Sequence, residues 1–243
     1  MRSSIIESAI YYQQHWNHAR QVEFLHQMQA KKGYFLFKRG TDIAISLLII
    51  VLIFPWLLPI AFVLIKLNSR GPLFFMQDRV GFLGKTFRCY KFRTMYVNDG
   101  ADTVQAIRND PRVTRIGRFL RYTGLDELPQ FINVLQGDMS IVGPRPHMQK
   151  DSIEFEEVVA DYKFRNLVRP GITGMSQVRG YKGPATTFQS IFRRYQWDAY
   201  YVRNVSIWLD LKIMTETALL VVKSVFQKEK QPESECLYEQ KPV

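Results

Sequence analysis

Between Ile43 and Ile65 the chain runs for 23 residues without a charged side chain. As one straight helix this stretch would reach roughly 34 Å at about 1.5 Å per residue, enough to cross a hydrocarbon core of about 30 Å. Two features oppose a plain crossing. Pro55 and Pro59 fall inside the stretch, and each removes a backbone donor and bends a helix. Cations also flank both ends, with Lys31, Lys32, Lys38 and Arg39 before it and Lys66 and Arg70 after it. Cationic flanks favour the cytoplasmic side, so both ends are expected on the same side. The expected form is a helix hairpin broken at Pro55 that enters and leaves one leaflet, with Lys38, Arg39 and Asp42 at its entrance. A straight span is the competing reading. Length, and Trp56 and Phe62 among continuous aliphatics, disfavour a buried soluble helix. The late start, and the lack of a small-residue cleavage site, disfavour a cleavable signal peptide.

The remainder is basic. A net charge of +11 and a pI near 9.7 call for a polyanionic partner: nucleic acid, anionic lipid or a phosphorylated substrate. Cys89 and Cys236 lie far apart without metal-ligand spacing and read as free thiols of a reducing compartment. The four histidines form no HExxH pattern, which disfavours a transition-metal site. Residues 207–226 are apolar but interrupted by Asp210, Lys212, Glu216 and Lys223. They read as an amphipathic helix rather than a second span, which argues against a polytopic protein.

The fold class expected is α+β. Residues 1–30 read as a helical extension, 31–68 as the membrane element, 69–226 as the core and 227–243 as a disordered tail. Within the core, Leu73–Gln77 and Thr86–Tyr90 around Gly81 and Gly84 suit a β-hairpin. Residues 98–110 read as a polar loop, and Leu128–Leu135 as a helix ended by Gly137. Phe188, Ile191, Phe192, Tyr195, Ala199 and Val202 recur at helical spacing, with Arg193 and Arg194 between them.

The sharpest chemical signal is Asp126-Glu127. Thr123-Gly124 interrupts structure before it, and Pro129 is tolerated only in a first helical turn. Both carboxylates are therefore expected at a helix start, where ionised forms and bound phosphate are favoured. An ionised carboxylate can act as a nucleophile or bind Mg²⁺; ordinary acidic capping is the bland alternative. Arg115, Arg118 and Arg121 recur every three residues and could converge on a phosphate. Gly143-Pro144-Arg145-Pro146 is a rigid turn presenting one guanidinium, a group suited to bidentate phosphate contact. Lys91 and Arg93 share a strand face, with Phe92 opposite. The Gly-rich stretch from Arg169 to Gly174, with Arg179 and Gly180 beyond, could wrap a phosphate or be only a loop. Gly84-Lys85-Thr86 ends like a P-loop, but Arg79 stands where the first glycine is needed. His147 reads as structural.

Taken together, these blocks resemble the bacterial sugar transferase family, the monotopic phosphoglycosyl transferases. The likeness rests on Lys38-Arg39-Gly40-Thr41-Asp42, the proline-broken segment, Tyr90–Met95, Leu125–Leu128, Gly137–Ser140, Val142–Pro146, Arg169–Gly174 and Asp210–Lys212, in the family's order. It implies transfer of a sugar 1-phosphate from a UDP-sugar to undecaprenyl phosphate, with release of UMP. On this resemblance Asp126 is the nucleophile, and Glu127 positions groups or shares Mg²⁺ with it. Lys91, Arg121, Arg145 and Arg179 bind phosphates or substrate. The setting implied is the bacterial inner membrane with the site on its cytoplasmic face, among anionic lipids; a homodimer is left open. Two departures stand out: Phe54-Pro55 replaces a Ser-Pro break, and Met175 stands where an aromatic residue is common. Similarity through Gly143–His147 and Ser206–Asp210 favours a hexose such as glucose or galactose over an N-acetylated sugar. A non-catalytic scaffold would be indifferent to Asp126. A nucleic-acid binder lacks any recognised motif and leaves the apolar segment without a purpose.

Overall fold

The computed structural model describes residues 30–226 apart from 99, 101–103, 105, 108 and 186. The expected N-terminal extension and C-terminal tail lie outside the described residues, except for residue 30.

The apolar stretch forms two helices, α1 (Lys32–Leu52) and α2 (Phe54–Asn68). Neither alone is long and apolar enough to cross a membrane, and the pair is bent by 60°. The break falls at Ile53, one residue earlier than Phe54-Pro55. Pro55 lies in the first turn of α2, where its missing N–H costs nothing because first-turn donors are unpaired anyway. Pro59 lies within the helix. Leu48, Val51, Leu52, Ile60 and Leu67 are exposed, and Trp56 is 75 % exposed, so the bend carries a large uncovered apolar surface.

The other end of α1 is fastened to the core by its charged residues. Lys38 Nζ and the Tyr34 hydroxyl both meet Asp210 Oδ2 at 2.8 Å. Arg39 donates to the carbonyls of Val134 (2.5 Å) and Leu135 (3.0 Å), capping the last turn of α4 (Gln130–Gln136). Asp42, buried, accepts from the Ile141 amide at 3.0 Å. These three residues bond protein rather than lipid.

After α2, β1 (Phe74–Val80) and β2 (Thr86–Phe92) pair antiparallel, with Phe75 opposite Lys91. This is the expected hairpin, with each strand two residues longer. Phe92 packs with Ala61, Ile65 and Leu120, which joins α2 to α3 (Arg115–Thr123). Arg93, beyond the strand, turns back to the carbonyls of Ser69 and Arg70. It braces the exit of α2 instead of completing a cationic strand face.

A second sheet is small and parallel. β3 (Ser140–Val142) pairs with β4 (Gly171–Thr173). α5 (Gln149–Val158), which packs on β1 and on a 3₁₀ segment (Tyr162–Leu167), and the short α6 (Met175–Val178) fill the connections on either side of β4. The expected amphipathic helices are α7 (Phe188–Arg203) and α8 (Ile207–Phe226). The main core gathers Val134, Met139, Val142, Val202 and Ile213 from four of these elements.

The glycines of this region serve close backbone packing rather than phosphate wrapping. A Cβ at Gly143 would lie 2.3 Å from the Arg169 carbonyl oxygen, and one at Gly174 would lie 2.1 Å from that of Gly143. Gly143→Ala should therefore lower stability by about 1–3 kcal/mol, as overpacking does. A drop in the thermal midpoint relative to Gly183→Ala, where nothing lies within 4 Å, checks this.

Candidate active site

Asp126 and Glu127 sit in a single 3₁₀ turn (Leu125–Glu127) between α3 and α4. Gly124, at φ 73°, turns the chain out of α3 in the left-handed region, which glycine enters without penalty. The acids thus precede α4, whose N-cap is Pro129, instead of opening it. Both are buried, at 8 % and 7 % exposure.

Their environments differ. The Arg145 guanidinium forks onto Glu127, Nη2 to Oε1 at 2.6 Å and Nη1 to Oε2 at 3.3 Å. Lys91 Nζ lies 3.2 Å from Oε1 and Lys182 Nζ 3.8 Å from Oε2. Among the described residues, no hydrogen bond or ion pair engages the Asp126 carboxylate. One acid is clamped; its neighbour is free to react or to take a ligand.

The charges follow from this placement. Burial raises the Glu127 carboxyl, but Arg145, Lys91 and Lys182 together outweigh it and hold the group well below the usual carboxylate range. Burial, and next the adjacent Glu127, push the Asp126 carboxyl above that range, against Lys91, Lys182 and Arg121. Burial also lowers the Lys91 ammonium, and Arg145 and Arg79 reinforce this while Glu127 opposes it.

These groups open onto a cavity of about 730 Å³. Among the described residues its wall carries eight lysines and arginines against three carboxylates, Asp126, Glu127 and Asp151. Phe74, Phe75, Met95, Tyr96 and Val97 add apolar surface to the same lining, Phe75 as the cross-strand neighbour of Lys91. Such a wall suits an anionic ligand with several phosphate charges and an apolar part.

Of the residues expected here, Lys91, Arg121, Arg145, Asp126 and Glu127 come together. Arg121 donates to the Thr94 hydroxyl at 2.8 Å. Arg115 and Arg118 are exposed and do not line this cavity. Arg179 is elsewhere too, stacked on Trp197 and 3.8 Å from Glu216. The helical faces of α6, α7 and α8 carry it away from the acids.

Sequence reasoning missed Lys182, Arg79 and Arg194. Lys182 sits one step beyond the Gly-rich stretch and gave no spacing signal. Arg194 was legible: it falls on the buried face of α7 with Ile191, Asp198 and Val202. His147 is buried. Burial, then Arg165, Arg194, Arg79 and Arg145, hold its imidazole well below the usual range, so it is neutral at pH 7. It bonds the Tyr162 hydroxyl through Nδ1 at 2.7 Å, in keeping with a structural role.

A buried, unengaged acid beside a forked guanidinium and a basic wall makes a site suited to phosphoryl groups at the foot of an apolar helix pair. A family model for bacterial sugar transferases matches residues 33–224. The chain is 48 % identical over 180 residues to the UDP-glucose:undecaprenyl-phosphate glucose-1-phosphate transferase of Klebsiella pneumoniae, covering 74 % of this chain and 38 % of that protein. It is 44 % identical to the exopolysaccharide production protein PSS of Rhizobium leguminosarum bv. phaseoli, covering 75 % of this chain and 93 % of that one. It is also 44 % identical to a UDP-N-acetylgalactosamine-undecaprenyl-phosphate N-acetylgalactosaminephosphotransferase of Aeromonas hydrophila, covering 76 % and 43 %. The chain belongs to the bacterial sugar transferase family.

The raised Asp126 carboxyl has a consequence for stability. A folded-state pKa above the unfolded value means that ionised Asp126 opposes folding at neutral pH, and this cost fades as pH falls through the folded value to the unfolded one of about 3.9. Asp126→Asn should accordingly raise the thermal midpoint at pH 7, with the gain shrinking toward pH 4. Equal midpoints at pH 7 would contradict the burial argument. Glu127→Gln should do the opposite at pH 7, because it strands Arg145 and Lys91 without their anion.

Proposed function

We propose that this chain transfers a sugar 1-phosphate from a UDP-sugar to undecaprenyl phosphate and releases UMP. The observation that carries the reading is the split between the clamped Glu127 and the unengaged Asp126. In the first step an Asp126 oxygen attacks the phosphorus that bears the sugar. The bond from that phosphorus to the bridging oxygen breaks, and UMP leaves with the electron pair. In the second step a phosphate oxygen of the lipid attacks the same phosphorus and expels the Asp126 carboxylate. The product is a sugar diphospholipid. Lys91, Arg121, Arg145 and Lys182 offset the charge on the transferred group, which is most of what phosphoryl transfer asks of a protein.

The donor set fits Mg²⁺ held jointly with substrate. Mg²⁺ commonly takes one or two carboxylates plus phosphate oxygens and waters. Asp126 has free lone pairs, whereas Glu127 is already saturated by cations. Among the described residues, no group of three or more His, Cys, Asp or Glu side chains could hold a metal without substrate. Bound there, Mg²⁺ would neutralise diphosphate charge, with Asp126 as its protein ligand and Glu127 holding the surrounding cations in place.

The bent α1–α2 pair would seat in the inner membrane from its cytoplasmic side, with the excess basic charge drawn to anionic lipid. The apolar part of the cavity lining supports delivery of a lipid acceptor. The sugar is taken to be a hexose such as glucose or galactose. Relatives with different printed sugars match at similar identity, so overall identity does not choose it.

Purified protein in nanodiscs with Mg²⁺ and undecaprenyl phosphate should release UMP from UDP-glucose or UDP-galactose. Asp126→Asn should reduce the rate by on the order of 10³ or more. Release of UDP, or lipid-independent turnover, would refute the reading.

A further inference from the structure

The segment that presents Arg145 is secured through its own main chain. Four consecutive carbonyls accept hydrogen bonds from other elements. The Gly171 amide donates to Pro144 (3.0 Å), Arg165 Nη2 to Arg145 (2.5 Å), Arg79 Nη1 to Pro146 (3.3 Å) and the Val80 amide to His147 (2.9 Å). Two of these residues are proline and cannot donate in return. The Arg145 carbonyl, directly behind the guanidinium that forks onto Glu127, is held by a side chain rather than by a strand.

That side chain is itself fixed. Arg165 is 2 % exposed and Asp198 fully buried. Arg165 Nε and Nη2 both donate to Asp198 Oδ2, at 3.0 and 2.8 Å. Arg165 also packs on the Tyr162 ring, 5.3 Å from its centroid. A buried ion pair gains little stability over an apolar pair of similar volume. Among the described residues Asp198 Oδ1 has no hydrogen-bond partner, so this pair is not optimised for stability. Its third contact, to the Arg145 carbonyl, is what an apolar pair could not supply.

We infer that Arg165 and Asp198 form a positioning pair for Arg145. Asp198, on α7, orients the Arg165 guanidinium. Arg165 fixes the backbone of the Gly143–Pro146 turn, and the Arg145 fork then meets Glu127 and the diphosphate of the donor at a set distance. Neither residue touches substrate. The inference rests on the proposed transferase reading for its kinetic readout, but not for its structural one.

The test replaces both members with apolar residues, Arg165→Met with Asp198→Leu, so that neither member is left as a buried charge without the other. The expected result is a thermal midpoint close to that of the parent protein. UMP release should fall roughly 10–100-fold in kcat, as when a catalytic group is misplaced by about an ångström, and kcat/KM should fall with it. Hydrogen exchange should accelerate at the amides that 143–148 carries, those of Gly143, Arg145, His147 and Met148, and at the Gly171 and Val80 amides that donate to the segment. A lowered midpoint with kcat of the folded protein within about twofold of the parent would reduce the pair to a structural role and overturn the inference. Should the double variant not fold, Asp198→Asn, which keeps the shape and one acceptor, is read the same way. Failure of the parent protein to release UMP from any donor would instead overturn the transferase reading. The exchange measurement then decides alone, and unchanged exchange at the same amides in the variant would overturn the inference.

Discussion

The Glu127 carboxylate is the junction on which this site depends. It is buried, and burial by itself would neutralise it. Lys91 from β2, Arg145 from the Gly-Pro-Arg-Pro turn and Lys182 from the loop before α7 all converge on its two oxygens. Three segments that are remote in sequence are thereby gathered around one side chain. The pairs also spare the three cations from facing one another unbalanced in a confined space. Asp126, next in the chain, is left in the same cationic field without a partner.

This division explains how adjacent carboxylates come to do different work. A 3₁₀ turn points successive side chains in different directions, so Glu127 reaches its cations and Asp126 reaches the cavity. Full engagement of both would leave neither acid open to a ligand; engagement of neither would leave Lys91, Arg145 and Lys182 without an anion. The cost is stored at Asp126, whose ionised form is disfavoured by burial and by the adjacent Glu127. Instability concentrated at a reactive group is a common feature of active sites.

The helix pair is built into this arrangement rather than attached to it. Asp210 takes Lys38, Tyr34 and Tyr201 together, Arg39 caps α4 immediately after the acids, and Arg93 ties β2 to the exit of α2. Because Arg93 directly follows the strand that carries Lys91, a cation of the cavity and the apolar element hold a fixed relation. The proposed transfer from a soluble donor to a lipid acceptor would need that relation.

Much was legible in the residues. The apolar stretch, its prolines, the β-hairpin, the amphipathic α7 and α8, and the Asp126-Glu127 and Gly-Pro-Arg-Pro blocks are local patterns, and periodicity or turn chemistry exposes such patterns directly. Family membership followed from their order. Other features depended on contacts between residues far apart in the chain, which no local pattern encodes. Arg179 looked as well placed as Arg145, yet α6 aims it at Trp197 and Glu216. Arg93 alternates correctly with Lys91 but bonds the end of α2. Lys182 carried no motif and reaches Glu127. The sequence by itself determined which groups could do phosphoryl chemistry and that an apolar bent element would accompany them. Only the tertiary structure decided which acid is clamped and which is free, because that choice is made by cations arriving from 36 residues before Glu127, and from 18 and 55 residues after it.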